Sequence, residues 1–75
     1  MSINEFVDKA NEILSDLLDE KVSLTADEPL SETIDSLAMM GFINAIENDF
    51  NVKFRLSQIK NFKTLEDIYN EYIAN

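Results

Sequence analysis

The sequence predicts an all-α fold, a small bundle of three principal helices plus one short helix, with a long loop between helices 1 and 2. Three segments carry apolar residues at the spacing of one helix face. Serine, threonine or aspartate, the residue types that cap helix N-termini, stand where these segments begin. With 75 residues, 45% of them hydrophobic, the chain has material for one modest core. We therefore expect a single domain over residues 1–75.

The first helix is predicted by apolar side chains that recur every three or four positions with polar residues between them. These apolar residues are Ile3, Phe6, Val7, Ala10, Ile13, Leu14, Leu17 and Leu18. Ser2 and Glu5 fit a capping box, in which each side chain bonds an amide left unpaired at the helix start. We therefore expect this helix to begin near Ile3.

A long loop is predicted between Asp19 and Ile34, where the periodicity lapses and the only proline, Pro29, stands among polar residues. Loops of this length are usually functional or anchored by apolar residues of their own. The available anchors are Val22, Leu24, Leu30 and Ile34. We expect an ordered crossover between the two helices.

The second helix is predicted from about Ser36 to Phe50. Its core-facing stripe consists of Met39, Phe42, Ile43, Ile46 and Phe50. The opposite face holds Leu37 and Met40, which either lie under neighbouring loops or form a contact patch for partner proteins. Gly41 in mid-helix costs about 1 kcal/mol relative to alanine. Close approach by a partner or by the long loop would explain this glycine, and so would a neutral substitution.

The C-terminal third predicts a short helix and a final helix. After Asn51, which is suited to ending a helix, one or two helical turns hold Leu56, Ile59 and Phe62. Thr64 is a suitable cap for the last segment. That segment places these apolar residues on one side: Leu65, Ile68, Tyr69, Tyr72 and Ile73.

Charge and composition exclude several classes of function. Twelve acidic and two basic side chains in residues 1–50 give −10, whereas three acidic and four basic ones in residues 51–75 give +1. The net charge of −9 disfavours nucleic acid and membrane surfaces as partners. It has two explanations, a general contribution to solubility or an acidic patch that binds basic partners. Without cysteine or histidine, the chain lacks a disulfide, a thiolate and the commonest general base, and we expect no metal site. No stretch is apolar enough to span a bilayer, so we expect a cytoplasmic location.

The triplet Asp35-Ser36-Leu37 stands where the long loop meets the second helix. A serine at a helix start lies among unpaired amides at the positive end of the helix dipole, which favours a phosphate esterified to its hydroxyl. Asp35 makes the same place acidic. Alone, the triplet is weak evidence for a site of phosphate attachment, because aspartate and serine are the usual helix caps.

The wider context is more specific. Thr33-Ile34-Asp35-Ser36-Leu37 follows a long loop, the segment 42–50 completes the helix, and Thr64-Leu65-Glu66-Asp67-Ile68 begins the last one. In this order the sequence resembles the acyl carrier protein family over nearly the whole chain. The resemblance implies an acyl-carrier-protein-like fold and a phosphopantetheinyl transferase that moves 4′-phosphopantetheine from coenzyme A onto Ser36, between Asp35 and Leu37.

The resemblance also implies a function and partners. The protein would be a carrier and no enzyme, holding acyl groups as thioesters on the new thiol for fatty acid or related polyketide-type biosynthesis. Partner enzymes (a ketosynthase, acyltransferase or ligase) would dock on this chain through basic patches of their own. The residues that they would contact are Asp35, Leu37, Met40, Glu47 and Asp49. The acyl chain would lie among six apolar residues: Met39, Phe42, Ile46, Phe54, Ile59 and Ile68. Ordinary packing of the core explains the apolar character of these positions equally well. We expect a monomer, and the small size and initial Met1 favour a discrete carrier.

Two positions depart from the family pattern. The family commonly has glycine shortly before the aspartate, where this chain has Thr33-Ile34, and an acidic residue at the place of Gly41. Loss of one carboxylate weakens an electrostatic dock and favours other partner enzymes, which makes a specialised pathway plausible.

Three alternatives compete with an acyl carrier. An aminoacyl (D-alanyl or peptidyl) carrier shares the same site. An unmodified acidic helical interaction module would use Ser36 only as a cap, so that Ser36→Ala would change helix stability by about 0.5–2 kcal/mol and nothing else. An enzyme with Ser36 as nucleophile and Asp35 as base lacks the histidine that such a serine ordinarily needs.

Overall fold

The computed structural model describes residues 1–74 and contains four α-helices and a single 3₁₀ turn in that range. Their bounds are α1 Ile3–Leu18, the 3₁₀ turn Leu30–Glu32, α2 Ser36–Phe50, α3 Leu56–Ile59 and α4 Leu65–Ala74. No strand occurs among these residues. The prediction of an all-α bundle with three principal helices and one short helix is confirmed.

Helix α1 begins with the predicted capping box. The Ser2 amide donates to Glu5 Oε1 at 3.1 Å, and the Glu5 amide donates to Ser2 Oγ at 3.2 Å. The helix buries Phe6, Ala10 and Leu14 on one side. It ends at Asp19, whose φ of 53° lies in the left-handed region.

The core lies between α1, α2 and α4. An aromatic cluster closes one end of it, where ring centroids lie 5.1 Å apart for Phe6 and Phe50 and 5.5 Å apart for Phe6 and Tyr69. Tyr72 packs against Phe50 at 5.4 Å. These contacts bring the N-terminal part of α1 against the C-terminal parts of α2 and α4. The side chains with no exposed surface are Phe6, Ala10, Leu14, Phe42, Ile46, Leu65 and Ile68.

The loop between α1 and α2 is ordered and anchored as predicted. Its four apolar anchors are buried: Val22, Leu24, Leu30 and Ile34. On one side, the Asn11 side chain accepts from the Leu24 amide at 2.8 Å and donates to the Leu24 carbonyl at 2.9 Å. On the other side, the Leu30 amide donates to the Lys63 carbonyl at 2.8 Å. The loop is therefore tied both to α1 and to the segment before α4.

The connections on either side of α3 are held by carboxylates. Glu47 of α2 accepts from the Phe54 amide at 2.8 Å. Asp67 accepts from the Thr64 amide at 3.2 Å, and the Thr64 hydroxyl accepts from the Asp67 amide at 3.2 Å. Thr64 thus caps α4 as predicted. Within residues 1–74, no helix is both long and apolar enough to cross a bilayer.

Candidate functional site

At the start of α2, one residue caps the helix and the next one presents an exposed hydroxyl. Asp35 precedes the helix in extended backbone, and its Oδ1 accepts from the Ala38 amide at 2.8 Å. Ser36 is the first helical residue, and its exposed side chain takes no part in this cap. The interpretation of Ser36 as a helix cap is therefore wrong, because the chain turns helical one residue earlier than a serine cap requires.

The position of the Ser36 hydroxyl suits a phosphate ester. The first amides of a helix point out of its N-terminus, and the dipole of the 15-residue α2 places partial positive charge there. A phosphodiester attached to this hydroxyl would be favoured by that positive end, which would offset the repulsion from the neighbouring Asp35 carboxylate. The residues present thus fit an anionic group attached through Ser36.

A cleft of about 520 Å³ opens directly beside Ser36. It forms where the 3₁₀ turn of the long loop meets the segment that precedes α4, and most of its lining is apolar. The lining residues are Pro29, Leu30, Ser31, Ile34, Asp35, Ser36, Met39, Phe62, Lys63 and Thr64. Its volume falls in the range of small-molecule sites, and its lining suits an apolar group held on Ser36.

The structure places the six predicted acyl-pocket residues in two regions. Met39 lines the cleft beside Ser36. The remaining five pack into the core, with Ile59 partly buried and the others buried: Phe42, Ile46, Phe54, Ile59 and Ile68. Sequence reasoning missed Pro29 and Phe62 as cleft residues and assigned Leu30 and Ile34 only an anchoring role. Nothing in the local sequence signals the cleft, because its two walls are about thirty residues apart along the chain.

The predicted docking residues also differ in their surroundings. Leu37 is 82% exposed and Met40 is 52% exposed, so the interpretation that neighbouring loops cover them is wrong. Asp49 is exposed as well. Asp35 is exposed too and Glu47 is half-buried, and one carboxylate oxygen of each accepts from a backbone amide of this chain.

Gly41 has room for a Cβ atom, which would make ordinary contact with α1. A Cβ atom added there would meet Leu17 Cδ1 of α1 at 3.6 Å, an ordinary van der Waals distance. The explanation that the long loop approaches this glycine closely is wrong, since the nearest atoms belong to α1. The fold of this chain therefore does not require glycine at this position.

A comparison with protein families gives a match over most of the chain. The model of the family described as "Phosphopantetheine attachment site" matches residues 8–71, which include the long loop, α2 with Ser36, and both walls of the cleft. The four-helix arrangement is consistent with the acyl-carrier-protein-like fold that the sequence implied. No curated protein matches the chain.

Proposed function

The chain belongs to the family of phosphopantetheine-binding carrier proteins, and on that premise we propose that Ser36 carries the group and presents acyl intermediates to partner enzymes. Members of this family hold 4′-phosphopantetheine covalently on a serine, and such carrier domains are themselves non-catalytic. The observation that carries the proposal is the exposed Ser36 hydroxyl at the N-terminus of α2, beside an apolar cleft.

The other serines within residues 8–71 suit this role less well. Ser15 is half-buried and accepts from the Val22 amide at 2.9 Å, so its hydroxyl is engaged. Ser23 lies in the loop, and Ser57 lies in the four-residue α3. Ser31 also lines the cleft, but it lies in the 3₁₀ turn and away from the N-terminus of any α-helix. Among these serines, only Ser36 is exposed, lines the cleft and lies at the N-terminus of a long α-helix.

The Ser36 hydroxyl is the nucleophile in the loading reaction. Its oxygen forms a bond to the pantetheine-linked phosphorus of coenzyme A, the bond from that phosphorus to the bridging oxygen of the diphosphate breaks, and adenosine 3′,5′-bisphosphate leaves. The hydroxyl proton passes to a base on the transferase. We assign both that base and the coenzyme A to a phosphopantetheinyl transferase as the loading partner, and this chain has no histidine to serve as the base itself. When bound, the group supplies the thiol that a chain without cysteine lacks.

The cargo that the site suits best is an acyl chain of fatty acid or polyketide-type biosynthesis. Pro29, Leu30, Ile34, Met39 and Phe62 offer an apolar wall beside Ser36, whereas the core residues are already in contact with one another. We place the acyl chain in this cleft and not in the filled core. An aminoacyl or peptidyl cargo would find few polar partners there. The protein acts as a cytoplasmic carrier and not as an enzyme.

The experiment is a measurement of intact mass after incubation with coenzyme A, magnesium and a broad-specificity phosphopantetheinyl transferase. We expect the wild-type protein and the Ser31→Ala variant to gain one phosphopantetheine, and the Ser36→Ala variant to gain none. Ser31→Ala is the matched control because it removes the other hydroxyl of the same cleft.

Two results would overturn the proposal. Modification of the Ser36→Ala protein would place the attachment on another residue. No mass gain in the wild-type protein, under conditions that modify a known carrier, would leave an unmodified interaction module as the better account.

A further inference from the structure

A single cation lines the cleft beside Ser36. Among the residues that form this cleft, Asp35 and Lys63 are the two with ionisable side chains, and they lie on different walls. The side chain of Lys63 is exposed. The chain has six basic residues against fifteen acidic ones, and packing of the core does not explain why one of the six lines a mostly apolar cleft.

The backbone of Lys63 is fixed relative to the start of α2. Its carbonyl accepts from the Leu30 amide at 2.8 Å, and the Leu30 carbonyl in turn accepts from the Ile34 amide at 2.9 Å, two residues before Ser36. The Lys63 amide donates to the Asp67 carboxylate at 3.0 Å. All these bonds use backbone groups of Lys63, so its ammonium group remains available on a flexible four-carbon stem.

A modified Ser36 would add negative charge where the chain is already acidic. Residues 1–50 carry a formal charge of −10, and Asp35 lies directly before the modified serine. The dipole of α2 supplies only a partial positive charge at this place. Lys63 supplies a full positive charge from the other wall of the same cleft, and an ammonium group forms charge-assisted hydrogen bonds with phosphate oxygens.

We infer that the Lys63 ammonium group pairs with the phosphodiester on Ser36 and holds the base of the phosphopantetheine arm across the mouth of the cleft. This inference rests on the proposed function and deepens it, because it assigns a residue of this chain to the attached group. Lys63 is a positioning residue: it takes no part in the bond that forms at Ser36. It directs the arm along the apolar wall, so that an acyl chain meets Leu30 and Phe62 before it meets solvent.

The test measures how much loading with phosphopantetheine changes the melting temperature of wild type, Lys63→Gln, Lys63→Arg and Lys60→Gln at 50 mM NaCl. We expect loading to raise the melting temperature by about 2–4 °C more in the other three proteins than in Lys63→Gln. Lys63→Arg keeps the charge. Lys60→Gln is the matched control, because Lys60 is exposed as well but does not line the cleft. At 500 mM NaCl we expect the difference to shrink, since salt screens charge pairs.

The phosphorus NMR resonance of the loaded proteins gives a second readout, which reports the surroundings of the phosphate and not the stability of the fold. We expect this resonance to shift in Lys63→Gln and to stay unchanged in Lys60→Gln. All the substitutions are at exposed side chains and leave the backbone bonds of Lys63 in place, so we expect each variant to fold.

The outcomes separate this inference from the proposed function. Intact mass reports loading, and a wild-type protein that gains no phosphopantetheine overturns the proposed function and this inference with it. Equal effects of loading on the melting temperatures of wild type and Lys63→Gln, or an unshifted phosphorus resonance in Lys63→Gln, overturn the inference alone. An effect in Lys60→Gln as large as in Lys63→Gln overturns it too, because net charge and not the cleft would then be the cause.

Discussion

At the residue scale, Asp35 and Ser36 divide two tasks that either side chain could perform. The Asp35 carboxylate satisfies the Ala38 amide, which leaves the Ser36 hydroxyl exposed at the first position of α2. With the cap on Asp35, the Ser36 oxygen can be esterified without loss of the hydrogen bond to the Ala38 amide. Placing the cap on the preceding aspartate keeps the helix start stable before and after modification.

This division predicts unequal effects of two neighbouring substitutions. Asp35→Ala removes the cap and is expected to lower the free energy of unfolding by about 1 kcal/mol. Ser36→Ala removes an exposed hydroxyl outside the cap and is expected to change that free energy by less than about 0.5 kcal/mol. Urea denaturation of the unmodified proteins, followed by circular dichroism, measures both. A loss in Ser36→Ala as large as that in Asp35→Ala would contradict the assignment of the cap.

The capping box of α1 predicts a pH dependence. Hydrogen bonds from the Ser2 backbone amide, and then from the Ser2 side chain, lower the pKa of Glu5 below 4.5. Since the folded pKa is depressed, the ionised form stabilises the fold above pH 4.5, and this contribution is lost as the pH falls through the folded pKa. Glu5→Gln keeps an acceptor but no charge, so the difference in melting temperature between wild type and variant should shrink from pH 6 to pH 3. A difference that stays constant over this range would refute the charged capping box.

At the element scale, α2 combines a buried inner side with an outer side that packs against little of the chain. Phe42, Ile43 and Ile46 are buried, whereas Leu37 and Gly41 are exposed. The helix ends at Asn51, whose φ of 53° lies in a left-handed conformation that asparagine tolerates better than most residues. The buried inner side and the capping residues at both ends therefore account for the formation of α2, and the outer side is available for contact with a partner protein.

Gly41→Ala is expected to stabilise the protein. Alanine gains about 1 kcal/mol over glycine in a helix interior, and Leu17 at 3.6 Å leaves room for the added Cβ. In a domain of this size we expect the melting temperature to rise by about 4–8 °C. Differential scanning calorimetry checks this, with the equally exposed Asn44→Ala as a control for the change of surface. A lower melting temperature for Gly41→Ala would show that α1 and α2 pack more tightly there than the structure indicates.

At the scale of the whole molecule, the long loop forms one wall of the cleft because it is tied at both sides. Asn11 of α1 bonds both backbone groups of Leu24. The Leu30 amide bonds the Lys63 carbonyl, and the Glu66 amide bonds the Ala26 carbonyl at 3.0 Å. A loop without these ties would leave Ser36 beside open solvent and not beside an apolar wall.

Asn11→Ala should release the first of these ties. It leaves two partly buried backbone groups of Leu24 without their partner, which we expect to cost about 2 kcal/mol of unfolding free energy. Faster amide hydrogen exchange at Leu24 is the local sign, and urea denaturation gives the total. Asn4→Ala, an exposed change on the same helix, is the control and should cost less than about 0.5 kcal/mol. Equal losses in the two variants would mean that the loop is held by its apolar anchors alone.

The sequence by itself determined the helices, the caps of α1 and α4, the buried loop anchors and the family to which the chain belongs. These features depend on residues a few positions apart, such as Ser2 with Glu5 or Thr64 with Asp67, or on the period of a single helix. Only the tertiary structure decided the cleft beside Ser36, the engagement of Glu47 with Phe54 and the packing of Leu17 beside Gly41. Each of these depends on how separate segments come together, as where Leu30 meets Lys63, and no local pattern of apolar or capping residues specifies that meeting.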